Sequence, residues 1–170
     1  MGIEVDITAG RDLAAVRRAL RELGDKGLGR QLSRGLSRAV LPLRQQIRAE
    51  AISKMPSGYG PVLSKSLRFR QSTRASRREG QVIERVYGDG QRERRDVVRI
   101  DQGILRHPVF GRTRPLKRHA LWRATSKRNP WVAQPVEKGF ATGTAERMQS
   151  EIGDAMRAVL DEVADKIRRA

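Results

Sequence analysis

The sequence predicts an α+β domain in which a small antiparallel sheet is packed by a long N-terminal helix and a C-terminal amphipathic helix. Apolar residues recur every three or four positions over residues 28–51 and again over 148–167, which is the period of a helix. Short segments between these two patterns are rich in β-branched and aromatic residues, as strands are. The 170 residues suit a single domain, so one domain over 1–170 is expected.

The N-terminal segment predicts a strand followed by a helix. Residues 3–8 alternate apolar and polar side chains, and Gly10 ends this pattern. Asp12 is placed to cap a helix whose apolar residues repeat at spacings of three and four as far as Leu23.

A second amphipathic pattern runs from residue 28 to about residue 53. Pro42 lies inside it and removes a backbone donor, so the pattern allows either one kinked helix or two helices that meet near Leu41. Residues 55–61 hold two prolines and two glycines and predict a turn-rich break.

The middle of the chain predicts three short strands, within residues 66–73, 81–87 and 96–101. The connecting residues 74–80 and 88–95 are basic and contain glycine, which favours hairpin loops.

Residues 105–129 predict an extended basic arm or long loop. The stretch carries eight lysines and arginines, no acid and two prolines. A structureless segment of this length is uncommon in a compact domain unless it is functional or orders on a partner.

The C-terminal part predicts a short extended segment over residues 129–135 and then a final helix from about Thr142, with Thr144 as its cap. The predicted apolar stripe of that helix is Met148, Ile152, Ala155, Met156, Val159, Val163 and Ile167.

The positive charge is concentrated in one part of the chain. The formal net charge is +17, of which residues 62–128 carry +13 and residues 129–170 carry −1. Such a basic segment favours nucleic acid or another acidic partner through counterion release. The alternative interpretation is a solvated arm that only keeps the chain soluble.

The residues needed for catalysis or metal binding do not form a pattern. There is no cysteine, and the two histidines, His107 and His119, have no acid between them. The glycine pairs at 58–60 and 88–90 lack the lysine and helix entry of a phosphate-binding loop. The sequence therefore predicts no enzyme, no metal and no cofactor.

The aromatic residues allow two roles. Trp122 lies among arginines and lysines, so it would either stack on a nucleic acid base or, more in keeping with a buried tryptophan, anchor the arm on a neighbouring protein. Trp131 and Phe140 are expected in the core or in a subunit interface.

No apolar run is long enough to span a bilayer, and no secretory leader is visible at the N-terminus. These features predict a protein without a membrane partner that stays inside the cell or joins a particle assembled there.

Three stretches carry a resemblance to a known family. The first runs from Ala51 to Leu67, where a helix leads through a Pro-Ser-Gly turn into a strand. The second, residues 106–111, reads Arg-His-Pro-Val-Phe-Gly. The third, residues 129–140, reads Asn-Pro-Trp-Val-Ala-Gln-Pro-Val-Glu-Lys-Gly-Phe. Over residues 28–168 the layout resembles the tail-completion, or neck, proteins at the head–tail junction of long-tailed bacteriophages.

The resemblance implies a non-catalytic virion protein that forms a ring, with sixfold symmetry, between the connector stack and the tail terminator and tube. It implies assembly in the host cytoplasm and makes packaged double-stranded DNA a further partner. Two departures stand out. The family's turn has Thr-Gly where this chain has residues 57–60. Family members also have a short link between the second and third stretches, where this chain has a basic insertion at 112–128.

Two groups of residues follow as candidate contacts. The predicted basic contacts to the DNA channel or to neighbouring rings are Arg92, Arg94, Arg95, Arg112, Arg114, Lys117, Arg118, Arg123, Lys127 and Arg128. The predicted core or subunit-interface residues are Phe110, Trp122, Trp131, Phe140, Ile152, Val159 and Val163.

Two other functions stay open from the sequence. One is a tail terminator or head-closure protein of the same particle. The other is a free basic nucleic-acid-binding protein, although neither a recognition helix nor an RNA-type aromatic motif is visible.

Overall fold

A computed structural model of the chain describes residues 2–8, 10–75, 80–89, 97–108 and 131–169. The elements in chain order are β1 (Ile3–Thr8), α1 (Gly10–Leu23), α2 (Lys26–Ala39), α3 (Leu41–Ser53), α4 (Gly60–Ser66), β2 (Leu67–Ala75), β3 (Gly80–Gly88), α5 (helical residues 97–101), β4 (Ile104–Pro108), β5 (Trp131–Pro135) and α6 (Thr142–Arg169). The predicted α+β class is confirmed.

The main sheet has three antiparallel strands in the order β1-β3-β2, so β3 is central. Its register aligns Val5 with Glu84 and Glu84 with Gln71 across the three strands. Because side chains alternate along a strand, this row belongs to the face that also carries Ile7 and Val82. That inner face is covered by helices. A second sheet pairs β4 with β5 in antiparallel fashion.

The core lies between the inner face of the main sheet and the helices. Helix α6 contacts α1, α2, α3 and β1, so this helix packs against the N-terminal elements of the chain. The largest fully buried apolar side chains are Phe140, Leu13, Leu36, Leu43, Ile47, Leu63, Leu67, Ile100, Ile152, Met156 and Leu160. No helix in the described part of the chain is both long and apolar enough to cross a membrane.

Two prolines start helices in this fold. Pro42 occupies the first turn of α3, and Val40 is both the C-cap of α2 and the N-cap of α3. Of the two arrangements that the sequence allows over residues 28–53, two helices are therefore correct. Pro61 likewise lies in the first turn of α4, a helix that the predicted break at 55–61 did not include. Proline suits a first turn because its missing N–H has no partner there in any case.

The strand predicted at 96–101 is wrong, since residues 97–101 are helical. Val97, Ile100 and Asp101 are buried, and this spacing of three and four is that of one helix face. A run of five residues is too short for periodicity to distinguish the two structures.

The predicted helix ends also need correction. Helix α1 begins at Gly10 rather than after Asp12. Thr144 is not the cap of α6 but a buried residue of its first turn, and its hydroxyl donates a hydrogen bond of 2.8 Å to the Phe140 carbonyl. Leu160, which the predicted stripe omitted, is 1% exposed.

The predicted basic arm is in part a strand, because residues 105–108 belong to β4. The rest of the predicted arm, residues 109–129, lies outside the described residues.

Candidate functional site

The structure describes few of the predicted contact residues. All ten predicted basic contacts, together with Phe110 and Trp122, lie outside the described residues. Trp131 is the first residue of β5, but its side chain is not among those that the structure describes. Phe140, Ile152 and Val163 are buried in the core, and Val159 is half-buried beside them.

Two of the three stretches that carry the family resemblance are adjacent strands. Residues 106–108 lie in β4, residues 131–135 form β5, and the register pairs His107 with Val132 and Pro108 with Trp131. The pairing brings together backbone segments that are more than twenty residues apart in the chain.

The remaining stretch is joined to the residues that follow β5 through Lys54, just after α3. Its ammonium lies 3.0 Å from a Glu137 carboxylate oxygen and donates a hydrogen bond of 3.2 Å to the Lys138 carbonyl. Glu50 also lies beside this ammonium, at 3.6 Å, and is bound in turn by Arg147 of α6 at 2.7 Å. All three stretches are therefore connected by these contacts, and we name the place where they meet the motif junction.

Asp101 holds the same region from the other side. Its carboxylate accepts hydrogen bonds of 2.7 Å from the Ala141 N–H and 2.7 Å from the Thr142 hydroxyl, at the start of α6. Its own carbonyl accepts the Gly139 N–H at 2.7 Å. A carboxylate at this position satisfies free N–H groups and opposes the positive end of the helix dipole.

Glycines allow the tight path of the chain at the motif junction. Gly103 and Gly139 have φ of 92° and 76°, a region that side chains with a Cβ rarely adopt. The Val136 N–H donates to the Gly103 carbonyl at 3.0 Å, which continues the β4–β5 pairing beyond the strands. The junction thus joins separate backbone segments through polar contacts.

The carboxylates of the junction are engaged by groups of the chain itself. Within the described ranges, no group of three or more His, Cys, Asp or Glu side chains is placed to hold a metal ion. Every buried side-chain nitrogen and oxygen in these ranges has a hydrogen-bond partner. The carboxylates of Glu50, Asp101 and Glu137 serve hydrogen bonds and ion pairs.

A second candidate surface is the exposed side of α2, where cations follow one another at intervals of four residues. This α2 basic row consists of Lys26, Arg30, Arg34 and Arg38. All four are exposed, and the helix contains no acid. Intervals of four place side chains on neighbouring positions of one helix surface, so the row is continuous.

One acid of α6 borders this row. The hydrogen bond and charge of Lys166, with smaller contributions from Gln31 and Arg38, lower the pKa of Glu162. Lys166 lies 2.7 Å from Glu162, so this carboxylate already has a cation of its own helix as its direct partner.

The arginines of α3 are used differently. Arg44 reaches the inner sheet face, where its Nε and a terminal nitrogen lie 2.8 and 3.1 Å from the two oxygens of Glu84. Glu84 is fully buried at the centre of the sheet, and burial raises its pKa although the hydrogen bond and charge of Arg44 oppose this. Arg48 donates to the Ser64 and Leu67 carbonyls at 2.9 and 3.0 Å and lies over the Phe69 ring.

The outer face of the main sheet is also basic. Arg70 of β2 lies directly opposite Arg85 of β3, which is an unfavourable pairing of like charges. Glu4 on the other side of Arg85 forms an ion pair with it, and Arg68 pairs with Asp89. Among the described residues, Arg70 and Arg74 make no hydrogen bond or ion pair with a side chain.

Comparison with protein-family models, with curated proteins and with solved structures found no match to this chain.

The sequence analysis predicts neither the motif junction nor the α2 basic row, for different reasons. The row has a signal that could have identified it, because four cations at intervals of four without an acid form a regular pattern. Lys54 and Asp101 gave no local signal, since their partners lie 84 and 40 residues further along the chain.

Proposed function

We propose that this chain is a structural protein of the head–tail junction of a tailed bacteriophage or a phage-like particle. It forms a ring, of six copies by the family resemblance, that joins the connector stack to the tail terminator and tube. The ring surrounds the DNA channel, and the chain acts through contacts rather than through catalysis.

One observation carries this proposal. The three stretches that resemble the neck family are far apart in the sequence and meet at the motif junction. Lys54 belongs to the first stretch, β4 to the second, and Glu137 and Lys138 to the third. A set of chance similarities would not be expected to converge on one continuous site.

The charge distribution agrees with a ring around DNA. A bare monomer with a net charge of +17 repels its copies, so stable association requires acidic partners or DNA to neutralise part of this charge. Helix α6 pairs its own charges, through Arg157 with Asp154, Lys166 with Glu162 and Arg168 with Asp165. It therefore offers a nearly neutral surface for a neighbouring copy.

The first experiment asks whether the chain belongs to a particle. Particles from cells that encode the chain are purified and analysed by mass spectrometry, and the neck is then reconstructed by electron microscopy. We expect the chain in a ring between portal and tail tube. Density at the tail terminator or at the head-closure position would assign it to that layer instead, and absence from particles would refute the proposal.

The second experiment asks whether the motif junction supports the ring. We expect Lys54→Met to raise the dissociation constant of the oligomer at least tenfold, because the contact of Lys54 with residues 137–138 is lost. Mass photometry over a range of concentrations measures this constant. Lys65→Met is the matched control, since this exposed lysine of α4 has no ion pair within the described residues. Equal dissociation constants for the two variants would show that the motif junction does not contribute to ring formation.

The α2 basic row favours a second function, that of a free nucleic-acid-binding protein. A monomer that binds DNA tightly and never joins a particle would support this function and exclude the first.

A further inference from the structure

We infer that the α2 basic row is a contact surface for the phosphate backbone of double-stranded DNA. This surface differs from the basic segment at 92–128 that the sequence suggests. The inference rests on the proposed function only for the choice of DNA as the polyanion that the chain meets in its particle.

The dimensions of the row suit a phosphate backbone. A helix rises 1.5 Å per residue, so Lys26 and Arg38 are about 18 Å apart along the axis and successive cations about 6 Å apart. One strand of B-DNA carries a phosphate about every 3.4 Å of axis. The row therefore spans about five phosphate intervals, with about one cation for every two phosphates.

The residues between the cations allow close approach. Gly27, Ser33 and Ser37 are exposed beside the row, and none of them has a side chain longer than that of serine. Serine hydroxyls are among the groups that contact phosphate oxygens, although the Ser33 hydroxyl also donates a hydrogen bond of 3.1 Å to the Gly29 carbonyl. The cations can therefore bring the helix itself close to the sugar–phosphate backbone.

The composition of this face argues against a protein partner. The buried centre of a protein interface is depleted in charge and enriched in aromatic and large apolar side chains. The exposed face of α2 offers cations, serine and glycine, while Leu32 and Leu36 of the same helix are buried in the core. Such a face suits a hydrated polyanion.

The helix that carries the row is capped at its start, and the cations of the row are largely available to a ligand. Asp25 caps the start of α2, where its carboxylate accepts the Gly27 and Leu28 N–H groups at 2.6 and 3.1 Å. Arg34 makes no hydrogen bond or ion pair with another side chain in the described part of the chain. Arg38 has only the long-range attraction of Glu162, which is itself paired with Lys166.

The test compares two variants of equal charge. In the row variant, Arg30, Arg34 and Arg38 are each replaced by glutamine, which preserves helix propensity. In the control variant, Arg157, Lys166 and Arg168, the paired cations of α6, are replaced by glutamine. Affinity for a 20-base-pair duplex is measured by fluorescence anisotropy between 50 and 300 mM salt. Circular dichroism and thermal unfolding check that both variants fold, and Arg34→Glu alone serves if the triple variant does not.

Each phosphate contact contributes about −0.9 to the slope of log K against log salt concentration. We expect the slope of the row variant to be shallower than that of the wild type by about 2 to 3, and the slope of the control variant to change by less than 1. Equal changes in both variants would mean that net charge alone drives binding and would overturn the inference. Displacement of the duplex by polyglutamate at equal charge concentration would also overturn it, in favour of an acidic protein partner.

Ring formation is measured separately, by mass photometry without DNA. Loss of DNA affinity in the row variant with rings intact supports both proposals. If the variants show the expected slope differences but the wild-type chain never forms rings, only the neck function is refuted.

Discussion

Helices α2 and α3 are consecutive and both are rich in arginine, but they use this residue in opposite ways. In α3, Arg44 and Arg48 turn towards the protein and bind Glu84 and two backbone carbonyls. In α2, the cations of the basic row turn to solvent, and Arg34 has no side-chain partner among the described residues. The spacing of four is the same in both helices. What separates a structural arginine from one available to a ligand is the presence of an acceptor across the fold.

The largest effect is expected where the α3 use of arginine is broken. Arg44→Met leaves the fully buried Glu84 carboxylate without its cation, and breaking one side of a buried ion pair costs about 3–5 kcal/mol. Because Arg44 is 23% exposed and water replaces part of the interaction, we expect about 3 kcal/mol at pH 7. Urea unfolding of the variant and the wild type measures this loss.

The same variant has a pH dependence of known sign. Burial raises the pKa of Glu84, so the folded chain binds this proton more tightly than the unfolded chain. The stabilisation that follows is fully present below the unfolded pKa of about 4.3 and is lost as pH rises through the folded value. Arg44→Met removes the opposing effects that lower this pKa, so its deficit relative to wild type should shrink as pH falls from 7 towards 4. The double variant Arg44→Met/Glu84→Gln should lack this trend, and a constant deficit in the single variant would contradict the explanation.

A smaller loss is expected at Arg48. Arg48→Ala leaves the Ser64 and Leu67 carbonyls without their donor and removes the contact with Phe69, which together should cost about 2–3 kcal/mol. Arg48→Lys retains the charge but not the planar fork, so it should recover less than half of the loss. Thermal unfolding compares the three proteins, and full recovery by lysine would show that charge rather than geometry matters here.

The contact between α2 and α6 tests how closely the other face of α2 packs in the fold. A Cβ at Gly35 would lie 2.4 Å from Val159 Cγ1, and valine has little rotamer freedom in a helix. We expect Gly35→Ala to destabilise the fold by about 1–2 kcal/mol through overpacking. Gly29→Ala is the matched control in the same helix, because its Cβ would have no neighbour within 4 Å. It should stabilise by about 0.5–1 kcal/mol through helix propensity, and the opposite order of the two variants would refute this packing.

The smallest effect on stability is expected in the basic row itself. Arg34→Gln removes an exposed cation without a side-chain partner in the described residues, so the free energy of unfolding should change by less than about 0.5 kcal/mol. A chemical denaturation series alongside Arg44→Met gives the contrast directly. A loss of more than about 1 kcal/mol would mean that Arg34 is structural, as the arginines of α3 are.

Much of the fold could be predicted because periodicity is local. The alternation over residues 3–8 and the stripe from Met148 to Ile167 correctly placed β1 and α6. The prolines are harder to interpret. Pro42 allows either a kink or a new helix, and the second alternative is correct, while Pro61 falls in a predicted break and instead occupies the first turn of α4. The short run at 97–101 was misassigned because five residues hold too little of either period.

The sites depended on contacts that no local pattern encodes. Asp101 caps a helix that begins some forty residues later, and Arg44 finds Glu84 only when β3 is central in the sheet. Whether a charged residue is buried or free is decided by such distant partners. The candidate contacts at 92–128 followed from charge density alone, which measures how many cations a segment has and not which of them the fold leaves available.

The pairing of Pro108 with Trp131 and the Asp101 cap at Ala141 fix both ends of the chain segment that spans residues 109–130. The chain before and after this span is thus anchored by contacts that lie entirely within the described residues. A substitution inside the span therefore removes none of the hydrogen bonds that hold β4, β5 and the start of α6 together.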